Sequence, residues 1–251
     1  MTRPRAPIGA YRFPYVCPRE SRLGTSPGGA ETYAREPRMR IGILGTGVLA
    51  RALAEGWARA GHEVVVGGRS AERADKLAEA VGRGVTAAGP RTAAAGRDAV
   101  LLAVDWDGAE EMLAAAGADE GALAGTVLID PTNAVEHGVG VLLTGDGSMA
   151  ARIAARAPGA DVVKAFHLFP ATEWTRGAER GDAAPVTVVI CGDAPAALDT
   201  VGTLVRDVGA RPAVLGGLDR ARQLEEAAGF VIGLVFAGHD PNSAVPHVPS
   251  R

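Results

Sequence analysis

Ile43-Leu44-Gly45-Thr46-Gly47-Val48-Leu49-Ala50 is the stretch whose reading decides the fold. It joins a short apolar run, Met39 to Leu44, to a helical pattern over Val48 to Ala60, so a glycine-rich turn stands between a strand and a helix. Within it, Gly45 permits a tight turn, Gly47 lets the backbone approach a pyrophosphate, and Ala50 is small enough for helix and strand to pack closely. The unpaired N–H groups at the helix N-terminus then suit phosphate oxygens. A glycine-rich turn alone is a weak signal. Its βαβ context makes it a dinucleotide-binding turn.

The alternation continues outward from this point. His62 to Val66 reads as a strand and Ser70 to Val81 as a helix; Ala99 to Val104 and Thr126 to Asp130 read as buried parallel strands, the first followed by a helix through Ala116. Ser148 to Ala157 is helical, Asp161 to Phe166 a strand, Pro185 to Cys191 a strand, Ala194 to Val208 a helix and Arg211 to Leu215 a last short strand. Asp219 to Ala237 closes the chain as a long helix. This order predicts an α/β protein: a Rossmann-type doubly wound parallel sheet with a small C-terminal α/β extension ending in a long helix. Residues 39–167 form the expected NADP-binding Rossmann domain, and residues 168–251 an α/β and helical region that contributes to the substrate site.

Residues 1–38 have a different character. They carry seven arginines against three glutamates, are broken by six prolines and show no periodicity, which predicts a disordered tail with no role in chemistry. No apolar h-region follows the early arginines, which argues against a secretory signal.

Composition narrows the function. A chain of 251 residues that is 47% apolar can bury a core, and its net charge of −3, with both signs interspersed, gives no reason to expect nucleic acid or an anionic membrane as a partner. A small-molecule cofactor or substrate is expected instead. The longest apolar stretches fall well short of the roughly 20 residues that cross a bilayer. Cys17 and Cys191 are too few and too far apart for a metal site or a disulfide framework, which fits a reducing cytoplasm. Phe230, Val231, Ile232, Leu234, Val235 and Phe236 leave the closing helix no polar face in its second half. That segment must be buried, in this chain or against a second copy, and a homodimer is expected.

The end of the second strand, Val66-Gly67-Gly68-Arg69-Ser70, indicates the cofactor. An NAD enzyme places a carboxylate there for the ribose 2′-hydroxyl, and none occurs between Val64 and Ser70. Arg69, with Arg73 one turn later and Ser70 at the helix N-cap, suits a 2′-phosphate, so NADP(H) is the expected cofactor.

From Met39 to about Ala237 the sequence resembles the coenzyme F420-dependent NADP oxidoreductases. Ile43-Leu44-Gly45-Thr46-Gly47 is similar to the family's opening, in which the threonine and the following loop hold phosphates. Val65-Val66-Gly67-Gly68-Arg69 resembles its Val-Val-Gly-Ser-Arg signature, with Gly68 where the family has a serine that helps bind the 2′-phosphate. Val104-Asp105-Trp106 resembles its Ile-Pro-Trp beside the nicotinamide, with Asp105 in place of the proline. Val163-Lys164-Ala165-Phe166-His167-Leu168-Phe169-Pro170-Ala171 resembles a stretch whose histidine and proline line the deazaflavin site. Cys191-Gly192-Asp193 and Gly216-Gly217-Leu218 are further landmarks.

The expected cofactor site comprises Gly45, Thr46, Gly47, Val48, Leu49, Gly68, Arg69, Ser70, Arg73, Val104, Trp106, Thr132 and Asn133. His167 and Asp105 are the catalytic candidates, and His167, Phe169 and Pro170 the substrate-binding ones. No metal is expected. Ligands of open parallel sheets bind beyond the carboxyl ends of the strands, where Gly45, Gly67, Val104, Asp130 and Phe166 all lie. The resemblance implies hydride transfer between NADPH and coenzyme F420, a reaction in which the protein mainly positions two rings. His167 would then hydrogen-bond the deazaflavin, with Trp106 and Phe169 walling it. A second reading keeps NADPH and reduces a small imine or carbonyl compound, with Asp105 or His167 as proton donor. A third is a noncatalytic NADP-sensing protein.

Overall fold

The computed structural model describes residues 38–175 and 184–246. The expectation for the N-terminal tail therefore falls, Arg38 apart, outside the described residues. Among them run β1 Arg40–Leu44, α1 Val48–Ala60, β2 Glu63–Gly67, α2 Ala71–Val81, β3 Thr86–Ala88, α3 Pro90–Ala94, β4 Ala99–Leu102 and α4 Ala109–Ala115. There follow β5 Val127–Asp130, α5 Met149–Arg156, β6 Asp161–Lys164, α6 Thr172–Thr175, β7 Thr187–Gly192, α7 Pro195–Asp207, β8 Arg211–Gly216 and α8 Ala221–Phe236.

All eight strands form one sheet in the order β3-β2-β1-β4-β5-β6-β7-β8. The first six are parallel and follow the order of the dinucleotide-binding fold, with the switch point between β1 and β4. β7 enters antiparallel to β6, and β8 is parallel to β7, so the C-terminal residues extend the same sheet.

Apolar residues alternate across this sheet because both of its faces are covered. Ile41, Ile43 and Leu101 pack on one side with Leu53 and Trp57 of α1 and Leu204 of α7. Leu44, Val100, Leu102 and Leu128 pack on the other with Met112 and Leu113 of α4, Met149 and Ile153 of α5, and Leu224 of α8. Burying a leucine such as Leu53, which is fully inaccessible, stabilises the fold by about 1.5–3 kcal/mol. Two polar ties reinforce the first layer. Trp57 Nε1 donates to the carbonyl of Leu204 at 3.0 Å. His62 Nδ1 accepts from the Met39 amide at 3.1 Å, so its Nε2 carries the proton and donates to Asp207 at 2.8 Å.

The structure departs from the sequence reading in several places. β3, α3 and α6 fall in stretches read as loops, since segments of three to five residues carry too little periodicity to register. β4 and β6 end at Leu102 and Lys164, two residues before the expected Val104 and Phe166. The apolar second half of α8 is not buried within the chain: Phe230, Val235 and Phe236 are 51%, 56% and 53% exposed. The buried face of this helix is Ala221, Leu224, Glu225, Ala228 and Gly229. No helix among the described residues is long and apolar enough to cross a membrane.

The loop after β5 seats on α8 through glycines. A Cβ on Gly229 would lie 2.2 Å from the carbonyl oxygen of Gly140, and one on Gly140, whose φ is +83°, would lie 2.1 Å from that of Gly229. Alanine at 229 gains roughly 1 kcal/mol of helix propensity but forces two backbones apart, which costs about 1–3 kcal/mol. Gly229→Ala should therefore lower the unfolding free energy by up to about 2 kcal/mol in denaturant titrations, although it places a better helix former inside a helix.

Candidate functional site

Each element that meets the cleft ends with a residue the cleft uses. Gly45 turns at φ +132°, a conformation that favours glycine, and a Cβ there would lie 1.9 Å from the Ala103 carbonyl oxygen. The turn places Gly47 at the N-cap of α1, which has no side-chain cap and no acidic residue in its first turn. Nothing lies within 4 Å of a Cβ built on Gly47. A bare helix N-terminus with open space before it fits a pyrophosphate. Val48, 80% exposed, stands beside this space.

The cleft is about 710 Å³, a size suited to a small-molecule ligand. Thr46, Gly47, Val48 and Leu49 line it at one end with Arg69 and Arg73, and Val104, Asp105, Trp106, Thr132 and Asn133 line it further along. The expected residues of four separate strand ends are thus brought together. Gly68 and Ser70 line a smaller adjoining cavity of about 120 Å³ with Arg69, Arg73, Val104 and Met112. Ser70 caps α2, its Oγ accepting from the Arg73 amide at 3.3 Å. A side chain at Gly68 would meet the Thr46 methyl at 2.8 Å, so the loss of the family's serine is matched by the crowding of its neighbour.

The floor of the cleft rests on a buried polar cluster that sequence reasoning did not identify. Lys164, Asp130 and Glu225 are all fully inaccessible. Lys164 Nζ donates to Asp130 Oδ2 at 3.0 Å, to Glu225 Oε1 at 2.9 Å and to the carbonyl of Thr132, which uses all three of its protons. Asp130 Oδ1 accepts from the amide and hydroxyl of Thr132, both at 2.7 Å. Glu225 accepts from the amides of Met149 and Ala150 at the start of α5, at 2.9 and 3.3 Å. The sequence signal was a lysine inside the apolar run Val162 to Phe166, because a charge in a buried strand needs partners. Val135 and Ile232 also line the cleft without having been singled out for the cofactor site, and Pro131 lines it beside Thr132 and Asn133.

The structure does not bring His167, Phe169 and Pro170 to the cleft. Phe166 adopts φ +59°, rare for an aromatic residue, and its ring lies edge-on between Trp57 at 6.0 Å and Trp174 at 5.2 Å. Beyond this turn the rings of His167 and Phe169 line a cavity of about 80 Å³ with Val188, Val189 and Leu224, and Pro170 lines neither space. What reaches the cleft from His167 is its backbone: its carbonyl accepts from Asn133 Nδ2 at 2.6 Å and fixes the orientation of that amide. Burial, with a lesser effect from the Lys164 ammonium, pushes the imidazole down to about 3, and its Nδ1 has no partner. Burial thus favours the neutral form of this ring at physiological pH.

An unfolded chain protonates His167 near 6.5, whereas the folded protein does so only near 3. The neutral-ring contribution to stability is thus complete above pH 6.5 and is lost progressively as pH falls toward 3. By pH 5 the loss should reach about 2 kcal/mol, at roughly 1.4 kcal/mol per pH unit. Urea unfolding at pH 7 and pH 5 should show the wild type losing about 2 kcal/mol more than His167→Gln. Equal losses would mean that the ring is protonated in the folded state.

Comparison with known proteins agrees with this architecture. Residues 40–134 match the family described as NADP oxidoreductase, coenzyme F420-dependent. The F420-dependent NADP reductase of Methanothermobacter thermautotrophicus is 30% identical over 223 residues, covering 82% of this chain and 94% of that protein. Metalloreductase STEAP3 of Rattus norvegicus is 32% identical over 186 residues, which is 74% of this chain but only 36% of the rat protein's length. Among solved structures, a protein from Arthrobacter sp. FB24 assigned as an F420-dependent NADP reductase superimposes with a TM-score of 0.68 at 28% identity, over 80% of this chain and 96% of that one. The reductive aminase of Aspergillus terreus in complex with NADPH and ethyl levulinate shares the fold, with a TM-score of 0.58 at 22% identity over 80% of this chain and 63% of its own. With a cleft built around a nucleotide-binding turn, and with a reductase relative matched over nearly its whole length, the chain belongs to the coenzyme F420-dependent NADP oxidoreductase family and is an NADP-dependent oxidoreductase.

Proposed function

We propose that the chain transfers a hydride between NADPH and the deazaflavin coenzyme F420. The observation that carries this reading is that neither His167 nor Thr132 offers a proton at the nicotinamide end of the cleft, which leaves Asp105 and Asp107 as the carboxyl groups among its described lining residues. His167 is off the cleft and neutral, and the Thr132 hydroxyl donates to Asp130. Transfer between two ring carbons needs little acid or base help from the protein and chiefly requires two rings held at near-attack distance, which supplies about 7–11 kcal/mol. The names of the archaeal and Arthrobacter relatives support the same acceptor.

On this reading Gly45, Thr46, Gly47, Val48 and Leu49 cradle the pyrophosphate. Arg69, Ser70 and Arg73 receive the 2′-phosphate, and Val104, Trp106, Thr132 and Asn133 hold the nicotinamide end. Residues 39–167 carry the dinucleotide, and residues 168–251 supply the opposing wall, of which Ile232 is the member on the cleft. The half-exposed Phe230, Val235 and Phe236 support a homodimer that covers α8 with a second copy. The buried Cys191 thiol, pushed up to about 12 by its apolar surroundings and therefore unreactive, suits a cytoplasmic protein.

Asp105 favours a second reading. It is a carboxylate on the cleft where the family has proline, and it is placed to protonate the nitrogen or oxygen of a small imine or carbonyl acceptor.

Two measurements test these assignments. Charge-assisted contacts to the 2′-phosphate are worth about 1.5–3 kcal/mol each, so NADPH should bind at least roughly tenfold more tightly than NADH, and Arg69→Glu should weaken NADPH while leaving NADH nearly unchanged. Equal affinities would remove the basis for assigning Arg69 and Arg73. In a turnover assay the wild type should oxidise NADPH with F420, and Asp105→Asn should change that rate only a few fold. If a small imine or carbonyl compound is reduced instead, and Asp105→Asn costs about a hundredfold with an altered pH profile, the second reading replaces the first.

A further inference from the structure

Arg69 has a partner that the cofactor must contend with. Its Nη1 donates to Oε2 of Glu111 at 2.5 Å, and both side chains are more than half exposed. Arg69 follows β2 and Glu111 stands in the first turn of α4, so the pair ties together the two elements whose residues line the smaller cavity, Arg69 and Ser70 on one and Met112 on the other. The neighbouring carboxylate is engaged elsewhere: Glu110 accepts from Arg152 at 2.9 Å and Arg156 at 2.6 Å, both on α5. Arg69 and Arg73 both line the large cleft and the small cavity. The stretch from Val64 to Ser70 lacks the carboxylate with which an NAD enzyme holds its ribose 2′-hydroxyl. Glu111, on α4, brings a carboxylate to Arg69 instead.

We infer that Glu111 is a specificity-determining residue. Its carboxylate competes with the 2′-phosphate of NADP(H) for Arg69; when the 2′ position carries a hydroxyl, it stays on Arg69 and offers that hydroxyl an acceptor. The inference rests on the assignment of the 2′-phosphate to Arg69. Its physical content is a charge balance. With Glu111 ionised, the two arginines present one net positive charge to a phosphate dianion, and without it they present two. An exposed ion pair is a weak competitor, so the effect is about two- to fivefold in affinity and shrinks as salt screens it. Glu111 thereby sets the NADP preference below what two arginines alone would give.

Calorimetric titration of the full chain with NADP⁺ and NAD⁺ at low ionic strength tests this without reference to any hydride acceptor. Glu111→Gln should tighten NADP⁺ two- to fivefold and leave NAD⁺ unchanged or weaker, and the gain should vanish in an Arg69→Ala background. No tightening in Glu111→Gln overturns the inference; so does a gain that persists undiminished without Arg69, which would mean simple repulsion of the phosphate. The underlying assignment is judged separately by Arg69→Ala alone. If that variant leaves NADP⁺ affinity intact, the assignment and the inference fall together. If it weakens NADP⁺ while Glu111→Gln tightens nothing, only the inference falls.

Discussion

One ammonium group, the Nζ of Lys164, holds together the sheet edge at which the cleft opens. An isolated charge in the interior costs many kcal/mol, and Lys164 is tolerated because every proton it carries has an acceptor and both of its carboxyl partners have further donors. The cluster carries two carboxylates against one ammonium. Glu225 also accepts from the first amides of α5, where the helix dipole is positive. Four elements thus meet at one point: the ends of β5 and β6, the start of α5 and the first half of α8. Such a network adds little net stability over an apolar core, but breaking it at one member is expensive, of order 3–5 kcal/mol. Its value is geometric, since it specifies where the Thr132 carbonyl and hence the loop from Pro131 to Asn133 must lie.

The two ends of the cleft are consequently governed by different physics. Around Thr132 and Asn133 the lining is held by buried hydrogen bonds, so small changes there are poorly tolerated. Around Gly47 the lining is a bare helix N-terminus and two arginines open to solvent, where each interaction is weak, screened and adjustable. On the proposed reading, hydride transfer takes place over the first part and recognition of the 2′-phosphate over the second.

Much of this was legible in the sequence because it is local. The turn from Gly45 to Ala50, the apolar run of β1 and the N-cap at Ser70 depend on residues a few positions apart, and the strand and helix periods follow from them. β3 and α3 escaped because half of the residues in Thr86–Ala88 and Pro90–Ala94 are alanine, which marks neither a strand face nor a helix stripe. The antiparallel entry of β7 leaves no trace in a run of valines, since direction in a sheet is a tertiary property. The Lys164 cluster joins residues 34 and 61 positions apart in sequence. Its lysine was visible, but its partners were not.

The histidine illustrates a different limit. Read along the chain, Phe166 and His167 follow a strand whose end faces the ligand, and strand direction alone carries the imidazole into the cleft. One backbone torsion decides otherwise. At φ +59° Phe166 holds a conformation that costs an aromatic residue about 1–3 kcal/mol, and it does so because Trp57 and Trp174 pack edge-on against its ring. The reversal that follows presents the carbonyl of His167, rather than its ring, to Asn133. Asn133 then has its amide pinned at one end and borders the cleft at the other, so the stretch reaches the site through the main chain. A ring carried into an apolar space with an unpartnered nitrogen is the consequence of that use of the backbone, and it explains how a histidine in a binding motif comes to be neutral, enclosed and remote from the chemistry.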